Sequence, residues 1–339
     1  ETNSYLSKYP DVKKEGYNPM RHFFQFGVYE NRCSMDDIQF MRKMADIKKV
    51  MSLTPIQGQQ WERIKSKRYA VVLHIHYPEL SQTIADYLKR IPFQFDAFIS
   101  TRSDSIEKIQ ELFSSLSNIN HIEVQSFPNQ GRDVGPFLAG FGEKLSGYDY
   151  LLKLHSKKSP HSNALSGWFL HCLDNLIGSE EVIQTNLLKL SEEDSGIIYA
   201  VENYAISLGI KHDSCWGHEK SNFEKAQPFL KQLGINSIQA ESNFRFPVGT
   251  MFWCKTEILK PLIDWKLNFT DFDTEGGQID GTLAHSVERL IGLCCTEYYQ
   301  KNLVTTYCGY QNSKQHKGDK SIIEGRNKLS LNGFEKVIQ

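Results

Sequence analysis

From residue 68 onward the apolar positions of the chain switch repeatedly between two periods. YAVVLHIHY (69–77) is a strand-type run, and Leu80, Ile84 and Leu88 after it fall on one helical face. FDAFIST (95–101) is a second strand, and Ile106, Ile109, Leu112, Phe113 and Leu116 mark a second amphipathic helix. HIEVQSF (121–127) is a third strand, GRDVGPFLAGFGEKL (131–145) predicts a third helix, and YDYLLKLHS (148–156) is a fourth strand. Alternation at this spacing predicts an α/β domain with a mostly parallel sheet, right-handed crossovers and flanking helices.

The second half continues the pattern less regularly. Helices are expected at 163–177, 180–190 and 221–233, with GIIYAV (196–201) as a fifth strand between the last two. Residues 204–218 lack periodicity and suit a long loop over a site. FRFPVGTMFWCK (244–255) gives a turn and a strand, and 255–265 continues as one helix. An acidic, Gly-rich turn then leads into a helix bearing Ile279, Leu283, Val287 and Leu290, and TTYCGY (305–310) closes the sheet.

Before the sheet, residues 1–34 form a small helical unit with a turn at 16–19 and an aromatic helix, MRHFFQFG, ended by Gly27. Its tyrosine, Pro-Asp-Val, Asn-Pro and Glu-Asn-Arg elements resemble a short motif of bacterial surface-polysaccharide enzymes; a plain helical extension is the alternative. Residues 35–67 read as a helical linker, with Phe40, Met41, Met44, Ile47 and Met51 as a packing face and Pro55 breaking the run. The main domain spans 68–311, and the polar segment 312–339 reads as a tail or a linker to a further module. The chain opens at Glu1 without a leader pattern, which is read as a segment of a longer protein.

Composition narrows the function. Thirty-nine basic against 40 acidic residues give a net charge of -1, which argues against a general nucleic-acid binder. No apolar run approaches the length of a membrane span, although association with a membrane surface is compatible with the composition. Seven cysteines without a CxxC pair suggest reduced thiols in a cytoplasmic protein, with Cys294 and Cys295 in packing roles and no zinc site. His212 and His218 match no standard ligand spacing.

The densest chemistry lies from Phe127 to Ser159. Gly131 and Gly135 flank Arg132 and Asp133, and the fourth strand ends in His155, Ser156, Lys157 and Lys158. A strand that turns polar at its carboxyl end is where open α/β sheets place ligands. The order of elements fits a GT-A-like, Rossmann-type transferase, in which this position carries an Asp-x-Asp metal motif. Here it reads LHSKKS, so the cations can neutralise a donor phosphate directly, and no cofactor or essential divalent metal is expected. No GxGxxG follows the first strand, which leaves dinucleotide binding weakly supported.

The segments NQGRDVGPF, YDYLLKLHSKKS, FPVGTMFW and EGGQIDGTLAHSVERL, in this order, resemble the rhamnan synthesis protein F family over about Arg68 to Tyr310. The resemblance implies glycosyl transfer in bacterial cell-wall or O-antigen polysaccharide assembly, with rhamnose donors usual. Arg132 is then expected to hold a phosphate and Asp133 a sugar or ribose hydroxyl, with an Arg-Asp pair ordering the turn as the alternative. Asp280 is the first choice for the general base of an inverting transfer and Glu275 the second, a helix N-cap being the alternative use of Asp280. Thr250, Trp216 and Glu288 are candidates for acceptor or sugar contacts, with loop packing competing for Trp216. Arg289 either reaches the phosphate or pairs internally with Glu288.

The expected partners are an activated sugar donor and a lipid-linked glycan acceptor at the inner face of the cell membrane, with further polysaccharide-assembly domains in the same chain and no nucleic acid. Two other readings remain: a phosphoribosyl-type transferase using a pentose diphosphate, and a carbohydrate-binding or scaffold module without turnover.

Overall fold

In a computed structural model of the chain, the run at 69–77 becomes β1 (Tyr69–Ile75), in which every side chain but that of His74 is buried. Burial on both faces is what the middle of a parallel sheet demands. The structure describes residues 6–7, 9–16, 58–156, 168–201, 215–217, 221–278 and 280–306. Six further strands join β1: β2 (Phe95–Thr101), β3 (Ile119–Gln125), β4 (Tyr150–His155), β5 (Ser195–Ala200), β6 (Phe252–Lys255) and β7 (Asn302–Thr306). Their order is β3-β2-β1-β4-β6-β5-β7. All neighbours run parallel except β6, which is antiparallel to both β4 and β5. The sheet is therefore mixed, of the GT-A-like α/β kind the element order implies.

Two consequences of this order position a site. The chain leaves β1 in one direction for β2 and β3 and in the other for β4, so the carboxyl ends of β1 and β4 flank a switch point, where such sheets open a crevice. Because β6 runs backwards, its amino end lies beside the carboxyl end of β4, with Phe252 opposite Lys153. The turn that precedes β6 is thereby brought to the same crevice.

One face of the sheet, with Ala70, Val72, Phe98, Leu151, Phe252 and Cys254, packs on Phe137, Phe141, Trp216, Phe229 and Val287. The opposite face stacks Tyr69 on Phe93 and Tyr150, and Trp253 is fully buried with its indole N–H donating to the Leu176 carbonyl. Cys294 and Cys295 are also fully buried, in packing positions; burial raises Cys295 to about 12.

Helices α1 (Pro10–Lys14), α2 (Gln59–Lys65), α3 (Ser81–Leu88), α4 (Ile106–Ser114), α5 (Trp168–Ile177), α6 (Glu180–Ser191), α7 (Ser221–Gln232), α8 (Lys260–Asp264) and α9 (Leu283–Leu293) accompany the strands. The chain divides into two compact units: residues 1–52, 159–171 and 307–339 form one, and 53–158 and 172–306, with the sheet and its crevice, form the other. In the first, Pro10 starts α1 in the first-turn position where its missing N–H costs nothing.

Several sequence expectations are corrected. The segment 131–145 forms no α-helix but a π turn (Pro136–Gly140) and a 3₁₀ turn (Gly142–Gly147), as befits a run interrupted by one proline and several glycines. The helix expected at 255–265 is a 3₁₀ turn (Thr256–Leu259) followed by α8, with Pro261 in the first turn. The last described strand, Asn302–Thr306, starts three residues before the TTYCGY run and includes its Thr305 and Thr306, while residues 307–310 lie outside the described residues. The aromatic helix at 20–27, the methionine face at 40–51, Ile279, His212 and His218 also lie outside them.

Candidate functional site

Lys153 sits in the middle of β4, where the strand's apolar run predicts a buried side chain, and its side chain is 0% exposed. A buried ammonium is tolerated when it is paired. Its Nζ lies 2.8 Å from Oδ2 of Asp133 and 5.5 Å from the centre of the Phe137 ring. The same Oδ2 accepts the Thr250 hydroxyl. Burial opposes the charge on Asp133, but Lys153 and His155 more than offset it and hold the carboxyl well below the usual carboxylate range.

The turn carrying Asp133 is built for close approach. Gly131 has φ +73, and a Cβ there would meet the Phe272 ring at 2.7 Å. Arg132 also takes a left-handed conformation, φ 55, and Thr250 shares it at φ 49, a costly state for a β-branched residue. Both strained positions adjoin the Lys153–Asp133 pair, which fixes the two turns to β4.

The ends of β1 and β4 are laced together. Ser156 donates its backbone N–H to the His74 carbonyl at 2.8 Å, and its Oγ accepts from the Tyr77 N–H at 2.9 Å. His155 Nε2 lies 2.7 Å from the Gly249 carbonyl. Burial, partly offset by Asp133, lowers His74 to about 3, and its Nδ1 lies 2.9 Å from the Ser100 hydroxyl. Lys157 and Lys158 lie outside the described residues.

A third segment closes on the glycine turn. Gln130 pairs with Thr274, Glu275 Oε1 accepts the Arg132 N–H at 3.1 Å, and the Arg132 guanidinium donates to the Gln278 carbonyl. Arg132 Nε is 3.8 Å from Glu275 Oε2, with 37% of the arginine side chain exposed. Glu275 thus ties the acidic loop to the turn that bears Arg132.

That loop ends at Asp280, whose surroundings exclude the capping alternative. Thr282 is the N-cap of α9 and closes a capping box with His285, while Asp273 Oδ2 accepts the Leu283 N–H at 2.7 Å. Asp280 is free for other contacts: Oδ1 accepts from Asn222 at 2.8 Å and lies 3.3 Å from the Arg289 guanidinium, with 35% of its side chain exposed. Gly217 makes room for it, since at φ +85 a Cβ would stand 2.1 Å from Asp280 Oδ2.

Arg289 and Trp216 are placed differently from what a ligand role needs. Arg289 is buried on α9, donating to the Cys215 carbonyl at 2.7 Å and the His285 carbonyl at 2.8 Å, and pairing with Glu288 at 3.4 Å as well as with Asp280. It orients Asp280 and does not reach for a phosphate. Trp216 is 0% exposed: its N–H donates to the Gln239 carbonyl and its ring packs on Phe223 and Phe244, so no face is left for a sugar. Glu288 accepts the Gly249 N–H and so steadies the turn before β6.

Sequence reading passed over three residues of this arrangement. Lys153 carries a signal, a single lysine inside an otherwise apolar strand. His285 carries another, a side chain able to accept a hydrogen bond three positions after a threonine N-cap. Asn222 carries none.

Among the described residues no cluster of three or more His, Cys, Asp or Glu has the geometry of a metal site, and no helix is long and apolar enough to cross a membrane.

Fold and crevice together define a GT-A-like α/β protein with polar and charged groups gathered at the β1/β4 switch point. The chain belongs to the rhamnan synthesis protein F family, whose sequence model matches residues 29–298. That match begins well before Arg68, so the family segment includes residues ahead of the sheet. Protein WxcX of Xanthomonas campestris pv. campestris, an uncharacterized protein, is 30% identical over 235 residues in two strains. The alignment covers 69% of this chain and 32% of the relative, so the matched segment spans about a third of the length of these curated relatives. A solved structure, 4-diphosphocytidyl-2C-methyl-D-erythritol synthase from Anaerococcus prevotii DSM 20548, aligns over 78% of this chain and 98% of that one. Its TM-score is 0.39 and its identity 9%, a likeness too loose to bear on function.

Proposed function

We propose that this chain is a glycosyltransferase segment that moves a sugar, rhamnose being the first choice, from an activated phosphate donor to a growing bacterial surface polysaccharide. Membership in the rhamnan synthesis protein F family supports a role in polysaccharide synthesis. The observation that carries the enzymatic reading is Asp280: a carboxylate with 35% of its side chain in solvent, oriented by Arg289 and Asn222 and not spent on capping α9.

In the proposed reaction the acceptor hydroxyl attacks the anomeric carbon as the bond to the donor phosphate breaks. Asp280 takes the proton and the leaving phosphate keeps the electron pair, which inverts the anomeric centre. Arg132, with the cations that follow β4 at 157 and 158, meets the phosphate. Asp133 offers Oδ1 to a donor hydroxyl while Lys153 and Thr250 hold Oδ2. No cofactor or essential metal is assigned. A lipid-linked glycan at the inner membrane face is the proposed acceptor.

The test is a donor screen followed by NMR of the product, repeated with Asp280→Asn. Turnover should fall about 10²- to 10⁴-fold while donor affinity by calorimetry changes by no more than about twofold. Near-normal turnover in the variant would remove Asp280 from the base role.

A further inference from the structure

His285 is a histidine whose protonation the backbone dictates. The Thr282 backbone N–H points at its Nδ1 from 3.3 Å, and the Thr282 hydroxyl lies 2.8 Å from the same nitrogen. A nitrogen that accepts an N–H carries no proton, so in the neutral ring the proton is on Nε2. That Nε2 has no hydrogen-bond partner among the described residues, although the residue is only 9% exposed. It is not among the side-chain atoms sealed from solvent, so on an otherwise enclosed ring this N–H reaches solvent and is available to a ligand or a water.

The surroundings indicate what kind of ligand. Asp280 Oδ1 stands 3.9 Å from the ring's Nδ1, and the charges of Arg132, Asp133 and Arg289 also act on the imidazole. Burial first, then Arg132, lowers the imidazole to about 4, so it stays neutral at physiological pH. A fixed neutral donor on a ring that neighbours a carboxylate acceptor suits a group that accepts one hydrogen bond and donates another, which is the character of a sugar hydroxyl. A phosphate offers only acceptors at this pH and would be repelled by the carboxylates.

Resting on the transferase reading above, we infer that His285 is a specificity-determining residue whose Nε2–H donates to a hydroxyl oxygen of the reacting sugars, the hydroxyl's own hydrogen going to Asp280. A site built this way discriminates against the corresponding deoxy sugar, because the analogue displaces water from the Nε2–H and the carboxylate without replacing its hydrogen bonds.

The experiment is nitrogen NMR on the full chain labelled at histidine. His285→Gln identifies the resonance and keeps the helix start, since glutamine closes a capping box at this position. The ring should remain the Nε2–H tautomer from about pH 5.5 to about 8. Its Nε2 signal should move on saturation with a nucleotide sugar, if the donor sugar is bound, or with a methyl glycoside, if the acceptor is, and not with the nucleoside diphosphate alone. In turnover, His285→Gln should raise KM for the sugar and reduce discrimination against its deoxy analogue by about tenfold or more. A ring titrating near pH 6.5, a proton on Nδ1, or a signal unmoved by every sugar probe would overturn the inference. A responsive ring in a protein that turns nothing over would break the transferase reading and leave this contact standing. Loss of turnover in Asp280→Asn with a silent His285 would do the reverse.

Discussion

Asp133 meets a lysine whose side chain is wholly buried, whereas Asp280 meets an arginine and keeps about a third of its side chain in solvent. The charges of both carboxylates act on the same histidine, yet their neighbours suit them to different work. One oxygen of Asp133 is shared between Lys153 and Thr250, which lashes two strained turns to the centre of the sheet. Asp280 is gripped from behind by Arg289 and Asn222 and has an open side. A charge pair taken out of water is a poor source of net stability but costs a great deal to break. A carboxylate that is oriented and still reachable is what proton transfer needs. Asp133 therefore belongs to the architecture first and to the ligand second, and Asp280 the other way round.

Breaking the buried pair should have the largest effect on stability. Lys153→Met fills the same volume but leaves Asp133 with an unmatched charge, and should cost about 3–5 kcal/mol. Asp280→Asn removes a carboxylate that is one-third exposed and leaves Arg289 paired with Glu288 and two carbonyls, and should cost about 1 kcal/mol or less. Urea denaturation of both variants checks the contrast, and equal losses would erase it.

The contrast was only half legible in the chain. The alternation of periods from Tyr69 to His155 exposes the first four strands, because β1, β2 and β4 carry mostly apolar runs and β3 an interrupted one, each bounded by polar turns. The glycines around Arg132 mark a turn and the family motifs single out Asp280, so both halves of the site have a local signature. What joins them does not. The reversal of β6, which brings Thr250 beside Lys153, follows from strand pairing and has no periodicity of its own. Trp216 sits in a stretch without pattern, where an aromatic residue reads equally as binding or as packing; only its enclosure by Phe223 and Phe244 decides. Asp280 likewise looks like a cap until Thr282 is seen to hold that place.

A smaller effect separates orientation from stability on the Asp280 side. Gly217→Ala would drive a Cβ to 2.1 Å from Asp280 Oδ2 at a φ of +85, so the carboxylate must move. Displacing a reacting group by about 1 Å costs on the order of 10²-fold in turnover, and that loss is expected in kcat with donor KM little changed. If KM rises instead while kcat holds, Asp280 faces the donor and not the acceptor, and the assignment of the two carboxylates must be exchanged.

The gentlest test varies pH alone. His74 and His285 are lowered to about 3 and about 4, and Asp133 also lies below its ordinary range, so at acid pH the unfolded chain binds more protons than the folded one at all three positions. Their stabilisation is complete above the unfolded values and is lost as pH falls. For the two histidines the loss begins near pH 6.5 and for Asp133 only near pH 4. Each imidazole can contribute a slope of up to about 1.4 kcal/mol per pH unit between its two values. Unfolding free energy should thus be level from about pH 8 to 7, decline from about 6.5 to 4 with both imidazoles contributing, and go on falling below about 4, where Asp133 joins in as His285 drops out. His285→Gln should remove one share of the middle slope and leave the limb below about pH 4 intact, because that limb belongs to His74 and the Lys153–Asp133 pair. A flat profile down to about pH 5 would mean that neither imidazole is held neutral, and the cleft would then carry a positive charge beside Asp280 at mildly acid pH.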